Sequence, residues 1–158
     1  MTERVSAADL EEVGTIIRSA KRLANRYRTL TGRPLGITGE VAEYEAVRLL
    51  GLELAPVRQA GFDAVRKNGS TVERFQVKGR CVLSGKTGQR LGKIDLKKDW
   101  DGVFLVLLDK VFEPTAIYEA RREDIKEALM RPGSKARNER GALSVSKFKS
   151  IGKLIWES

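Results

Sequence analysis

Histidine is missing from this chain of 158 residues. Its absence excludes Ser-His-Asp and Cys-His triads, histidine general bases and nucleases that hold their metal through imidazole. Cysteine occurs once, as Cys81. A lone cysteine forms no internal disulfide and no thiolate cluster for zinc, so Cys81 reads as a small, partly buried residue near a strand end. No apolar run approaches the ~20 residues needed to cross a bilayer. Met1 to Leu10 mixes charges with small residues and carries no apolar block of the signal-peptide kind, so a cytoplasmic location is the expectation. Hydrolytic chemistry, if the chain performs it, is left to carboxylates, Lys, Tyr or a metal held by oxygen. Oxygen donors favour Mg²⁺, Mn²⁺ or Ca²⁺.

What is present is enough for a folded domain. Hydrophobic residues make up 41% of the chain, which argues against disorder, and the length fits a single domain spanning residues 1–158. The formal net charge is +9, which favours an anionic partner, nucleic acid first. The charge is gathered at both ends. Residues 13–39 hold Arg18, Lys21, Arg22, Arg26, Arg28 and Arg33 and no acid. Residues 121–153 hold ten Lys or Arg against Glu123, Asp124, Glu127 and Glu139. The alternative is a structural or partner-binding protein whose charge serves solubility.

Three segments follow: a basic N-terminal helix (1–35), a core (36–120) and a basic C-terminal extension (121–158). Val13, Ile16, Ile17, Ala20, Leu23, Ala24, Tyr27 and Leu30 recur at helical spacing, with the bases on the opposite arc, and Ser6 or Asp9 suits the cap. A second helix is predicted from Thr38, as N-cap, to Leu50, closed by Gly51. Strands follow at 52–57, 61–66 and 71–79, the last two joined at Asn68-Gly69. Residues 80–101 read as loop with a helical turn near Leu96–Trp100. Val103–Leu108 has the continuous apolar run of a central strand, with Thr115–Glu119 as hairpin partner. Arg121–Met130 is predicted helical and 131–141 a charged loop, before short elements at 145–151 and 153–157. The fold class is α/β, a central mixed sheet flanked by helices.

The chemistry concentrates on two neighbouring strands. Side chains alternate along a strand, so Gln76 and Lys78 share a face and Val77 takes the other. With Asp63 on the preceding strand, a carboxylate, an amide oxygen and an ammonium meet at one end of the hairpin. The Val77 carbonyl adds a backbone ligand for a hard cation. This set suits metal-assisted phosphodiester hydrolysis, where an ion activates water and polarises the phosphoryl oxygen. Glu40, in the first turn of the second helix, is either a further cation-binding acid or a simple first-turn acid favoured by the helix dipole, with Gly36 and Gly39 allowing close backbone approach, and Glu43 stands in reserve. Arg18, Lys21, Arg22 and Arg26 on the first helix are candidates for phosphate contact, as are Lys86, Arg90 and Lys93, with Lys97 and Lys98, in the loop. Asp95, Asp99 and Asp101 read as lysine-paired loop acids. Trp100 and Trp156 read as packing residues rather than base-stacking ones. The Gly85-Lys86-Thr87 triplet lacks the surrounding pattern of a P-loop.

Glu on a helix, Asp on a strand and (Glu or Gln)-x-Lys on the next resemble the PD-(D/E)XK nuclease superfamily, over roughly residues 36–120. The resemblance implies a restriction-endonuclease-like fold. It implies Mg²⁺ or Mn²⁺ held by Asp63 and Gln76, catalysis by Lys78 with Glu40 accessory, DNA rather than RNA as substrate, and allows a homodimer. Phe62 stands where the superfamily name has Pro, Gln76 replaces a carboxylate, and the helix usual between the third and fourth strands is not visible in 80–101. Gln76 keeps open the alternative of a catalytically inactive relative that binds nucleic acid.

Overall fold

The apolar run near residue 105 becomes the spine of a six-stranded mixed sheet. The computed structural model describes residues 5–56, 61–83 and 88–158. Strand β4 (Gly102–Leu108) is buried at every position. It pairs in parallel with β3 (Thr71–Cys81) and antiparallel with β5 (Pro114–Arg121). β2 (Ala64–Asn68) and β1 (Glu53–Leu54) extend the sheet beyond β3, and β6 (Lys153–Glu157) extends it beyond β5, so spatial order follows chain order. The expected first strand shrinks to two residues, and its predicted end at Val57 lies outside the described residues. The hairpin turn falls one residue later than Asn68-Gly69. Asn68 still pairs with Thr71, leaving Gly69 and Ser70 as the loop, and only Gly69 takes a positive φ of 62°. That is a turn led by glycine.

Helices α1 (Ala7–Thr31) and α2 (Thr38–Leu50) cover one face. Ser6 caps α1: its hydroxyl accepts the Asp9 N–H while the Asp9 carboxylate accepts the Ser6 N–H. This reciprocal box satisfies two otherwise unpaired donors. Gly32, at φ 71°, closes the helix. Thr38 is not a cap, as expected from sequence, but the first helical residue, after Ile37, which offers no side-chain bond. Gly51 ends α2 at φ 65°, as expected.

Close approach on this face occurs at a glycine that the sequence did not single out. A methyl group at Gly79 would lie 2.5 Å from the Ala42 Cβ and 3.0 Å from the Thr38 carbonyl. Gly36 and Gly39, expected to serve that purpose, have nothing within 4 Å of a built Cβ. They mark the entry to the helix, and the contact lies a turn further on. Gly102 plays the matching part in β4, since its missing side chain leaves room for the Phe75 ring at 2.7 Å. Arg66 lies over that ring, 4.7 Å from its centre, and bridges Glu73 at 3.0 Å and Glu119 at 2.8 Å, tying β2 and β3 to β5.

The basic arc of α1 is not wholly solvent-facing. Lys21 is buried, its ammonium 2.7 Å from Glu45 and 3.2 Å from Glu113. Glu45, itself buried, also takes Arg48 at 2.6 Å. A buried charge is tolerated only when paired in this way.

The second face carries its own core, with Leu91, Ile94, Trp100, Ile125, Leu129, Leu143 and Phe148 packed on Val103, Leu105 and Leu107. It is built from the crossover between β3 and β4, with α3 (Arg122–Met130), α4 (Lys135–Arg140) and α5 (Val145–Ile151). The charged loop expected at 131–141 thus contains a short helix. The crossover has no helix among its described residues. It is an extended segment held by backbone bonds, Leu91 N–H to Leu143 O at 2.8 Å, Val145 N–H to Gln89 O at 2.9 Å and Ile94 N–H to Gly141 O at 2.9 Å. Among the described residues no helix is long and apolar enough to cross a membrane.

Replacing Gly79 by Val forces α2 off the sheet. The expected loss is about 1–3 kcal/mol, the usual range for overpacking, read as a lower urea midpoint at unchanged m-value. An unchanged midpoint would show that the helix yields freely there.

Candidate active site

The sheet forks where β2 ends. Its pairing with β3 runs from Asn68 against Thr71 to Ala64 against Phe75. From Gln76 to Cys81, β3 pairs with β4 on its other side. Asp63 stands at the fork, one residue before β2 rather than within it. Its N–H donates to the Phe75 carbonyl at 2.8 Å, and its own carbonyl accepts Ala55 N–H at 2.9 Å. Its carboxylate Oδ2 accepts the Val77 N–H at 2.8 Å, taking the place of the missing ladder partner. Backbone groups of alternate residues face the same side of a strand, so the Val77 carbonyl leaves β3 on the Asp63 side.

Gln76 is buried, and its amide reaches back to Gly61, two residues before Asp63. Nε2 donates to the Gly61 carbonyl at 2.9 Å. Oε1 is buried with no hydrogen-bond partner. Swapping the two amide atoms would set oxygen against the Gly61 carbonyl oxygen, so the donor bond fixes the orientation. The chain bends there because Gly61, at φ 99°, passes 3.1–3.2 Å from Lys98 Cβ and the Asp99 nitrogen as judged by a built Cβ. Buried acceptors without partners are rare in folded proteins.

Lys78, two residues along on the same face, donates from Nζ to the Lys93 carbonyl at 3.0 Å. Burial loosens its proton and lowers its pKa; the Asp63 charge opposes this, Arg80 adds to it and Glu43 opposes it. The lowered value is the expected response of a partly desolvated ammonium.

The acid from α2 that shares this electrostatic neighbourhood is Glu43. Burial lifts its carboxyl to about 7, the charges of Asp63 and Glu40 push the same way, and the Lys78 ammonium pulls against them. Glu40, ranked first from sequence, is exposed in the first turn. One helical turn separates the two, and only the packing of α2 on Gly79 decides which is drawn in. The sequence carries a signal for Glu43 only through its spacing from the apolar stripe.

Asp63 offers a carboxylate, Gln76 an unpartnered amide oxygen and Val77 a carbonyl: a set of hard oxygens that fits Mg²⁺ or Mn²⁺. Among the described residues, no three Asp, Glu, Cys or His side chains form a metal-holding group by themselves. An ion here would therefore rest on one carboxylate and neutral oxygens.

The bases chosen for phosphate contact divide. Arg18, Arg22 and Arg26 are exposed, the first two resting on Thr15 and Ser19 hydroxyls. Lys21 is withdrawn into its ion pairs and presents no charge to solvent. Arg90 is exposed but holds the Ala142 carbonyl at 3.0 Å, and the Lys93 side chain is exposed beside the Lys78 contact. Lys86, and with it the Gly85-Lys86-Thr87 triplet, lies outside the described residues. Asp99 pairs with Arg74, whose N–H is accepted by Asp101 at 2.7 Å, while Asp95 accepts the Lys97 N–H at 2.9 Å. Trp100 is buried beneath the Arg122 guanidinium, and Trp156 packs partly buried against the helix-side core. Burial pushes the Cys81 thiol up, away from reactivity.

No protein-family model matches the chain, and no curated protein is similar enough to it to count as a relative.

The titration of Glu43 gives a signed expectation. A carboxyl raised in the folded state holds its proton while the unfolded chain releases it. Stability therefore falls as pH rises from the ordinary glutamate range to about 7, and the full penalty applies above that. Glu43→Gln removes the penalty. The variant is expected to be more stable than wild type in urea at pH 8, with the gain vanishing at pH 4. An equal gain at both pH values would remove Glu43 from this account.

Proposed function

We propose that the protein is a metal-dependent nuclease that hydrolyses DNA phosphodiester bonds, with its centre at the fork between β2 and β3. The observation that carries this reading is the buried, partnerless Gln76 Oε1, fixed in direction by its Nε2 bond, at the fork where Asp63 and Val77 present further oxygens. When bound, a divalent ion supplies an activated water and charge neutralisation at the phosphoryl group. Asp63, Gln76 and the Val77 carbonyl are the groups that would hold it. Lys78, with its loosened proton, balances the charge that develops on the phosphoryl oxygens. Glu43, titrating near neutrality, suits removal of a proton from water, since a base is most effective with its pKa near the working pH. Arg18, Arg22, Arg90 and Lys93 contact backbone phosphates without reading sequence. The superfamily resemblance supports the parts given to Asp63, Gln76 and Lys78; it names Glu40 rather than Glu43 as the accessory acid.

A second reading, a relative that binds DNA without cutting it, is favoured by the amide at position 76 and by the lack of a three-carboxylate group among the described residues. One assay separates the two. Single-stranded, duplex and branched DNA are incubated with the protein in Mg²⁺ or Mn²⁺. Cleavage is expected, slowed by roughly 100-fold or more in Asp63→Ala and Lys78→Ala. Cleavage by Lys78→Ala at the wild-type rate would defeat the nuclease assignment. Steep salt-dependent binding that ignores EDTA, without cleavage, would establish the second reading.

A further inference from the structure

Helix α1 carries two apolar seams, and the sheet covers one of them. Gly14, Ile17, Lys21 and Ala24 turn inward and are buried. One residue to the side run Val13, Ile16, Ala20, Leu23, Tyr27 and Leu30. Their spacings of three and four residues repeat twice and more, the a/d pattern of a heptad. Val13 and Ala20 are half-covered. Ile16 is 59% exposed, Leu23 62%, Tyr27 38% and Leu30 73%. The stripe keeps heptad register from Val13 to Leu30, and the fold uses only part of it: Val13 packs on the helix-side core, while Ile16, Leu23 and Leu30 stand clear. Scattered surface leucines need no explanation, but a contiguous stripe marks an interaction surface.

The charge pattern identifies the occupant. The first turns of α1 hold Asp9, Glu11 and Glu12 and no base. Every residue from Arg18 to Arg33 is basic or neutral, and among the described residues Lys21 is the base of this stretch whose charge is balanced by buried ion pairing. The column beside the seam reads Glu12, Ser19, Arg26, exposed at its two ends and half-buried at Ser19. Parallel pairing of two such helices sets acid on acid and base on base. Antiparallel pairing sets the acidic start of each against the basic end of the other, at both ends at once. The self-complementary arrangement is a two-fold one. A helix of this length measures about 37 Å by about 10 Å, so pairing along it covers roughly 700 Å² over two copies, the size of a weak, reversible interface.

We infer that α1 is a dimerisation helix, pairing antiparallel with α1 of a second copy through Val13, Ile16, Ala20, Leu23, Tyr27 and Leu30. The register that buries all six sets Val13 against Leu30, Ile16 against Tyr27 and Ala20 against Leu23 of the second copy. The pairing does not rest on the nuclease reading and stands or falls separately.

Sedimentation equilibrium tests it. Wild-type protein at tens of micromolar is expected to have the mass of two chains. Leu23→Glu and Leu30→Glu, at exposed positions that do not disturb the fold, are expected to weaken association by roughly tenfold or more while thermal unfolding of the separated chains is unchanged. A Cys81→Ser background then fixes the direction. Ile16→Cys and Tyr27→Cys proteins, mixed and oxidised, are expected to cross-link to each other and not within either pure sample. A wild-type monomer at that concentration, a dimer indifferent to both Glu variants, or cross-links confined to pure samples would each overturn the proposal.

Discussion

The Val77 N–H accepted by the Asp63 carboxylate is the bond on which the site's layout turns. A strand that loses its neighbour part-way leaves N–H and C=O groups bare, and these need a partner or water. At the fork a side chain takes over from backbone. The carboxylate ends the β2–β3 ladder, and from there to Cys81 the strand ladder of β3 is with β4. Gln76 and Lys78 are then held on a strand anchored along its β4 edge. Their orientations come from a paired strand rather than a loop, which is the kind of support that fixed geometry requires.

The sheet also separates two cores of different construction. On the helix side, contact depends on what is missing: no Cβ at Gly79 lets α2 touch β3, and none at Gly102 lets Phe75 lie flat under Arg66. On the far side the crossover gains order by borrowing backbone partners from residues 141–145. Lys93 sits in that borrowed segment, and its carbonyl holds Lys78. The C-terminal extension thereby supports the position of the ammonium although none of its side chains reaches it.

Much of this was legible in the chain. The fully apolar stretch at 103–108 dictates a strand covered on both faces, and the period of α1 and α2 dictates their helices. Alternation in Phe75-Gln76-Val77-Lys78 put Gln76 and Lys78 on one face of β3, where they bond separate carbonyls, those of Gly61 and Lys93. What escaped was set by tertiary contact. Glu40 and Glu43 both lie on the surface of α2 as a sequence presents it, and only docking on Gly79 draws the second toward Asp63. Lys21 follows the same helical period as its exposed neighbours and differs in meeting Glu45 and Glu113, residues 24 and 92 positions away. The apolar stripe of α1 looked like one broad face and proved to be two seams, because hydrophobic periodicity does not say how many partners share it.

The lack of histidine acquires a further meaning beside the raised Glu43 carboxyl. Ordinary side chains other than histidine do not change charge between pH 5 and pH 8, and only the chain's amino terminus joins them in that window. The protein's surface field is therefore nearly constant across the physiological range, while one acid at the fork between helix and sheet exchanges its proton there. Proton uptake or release measured near neutrality then reports on Glu43 and the amino terminus, without the background that histidines impose on most proteins.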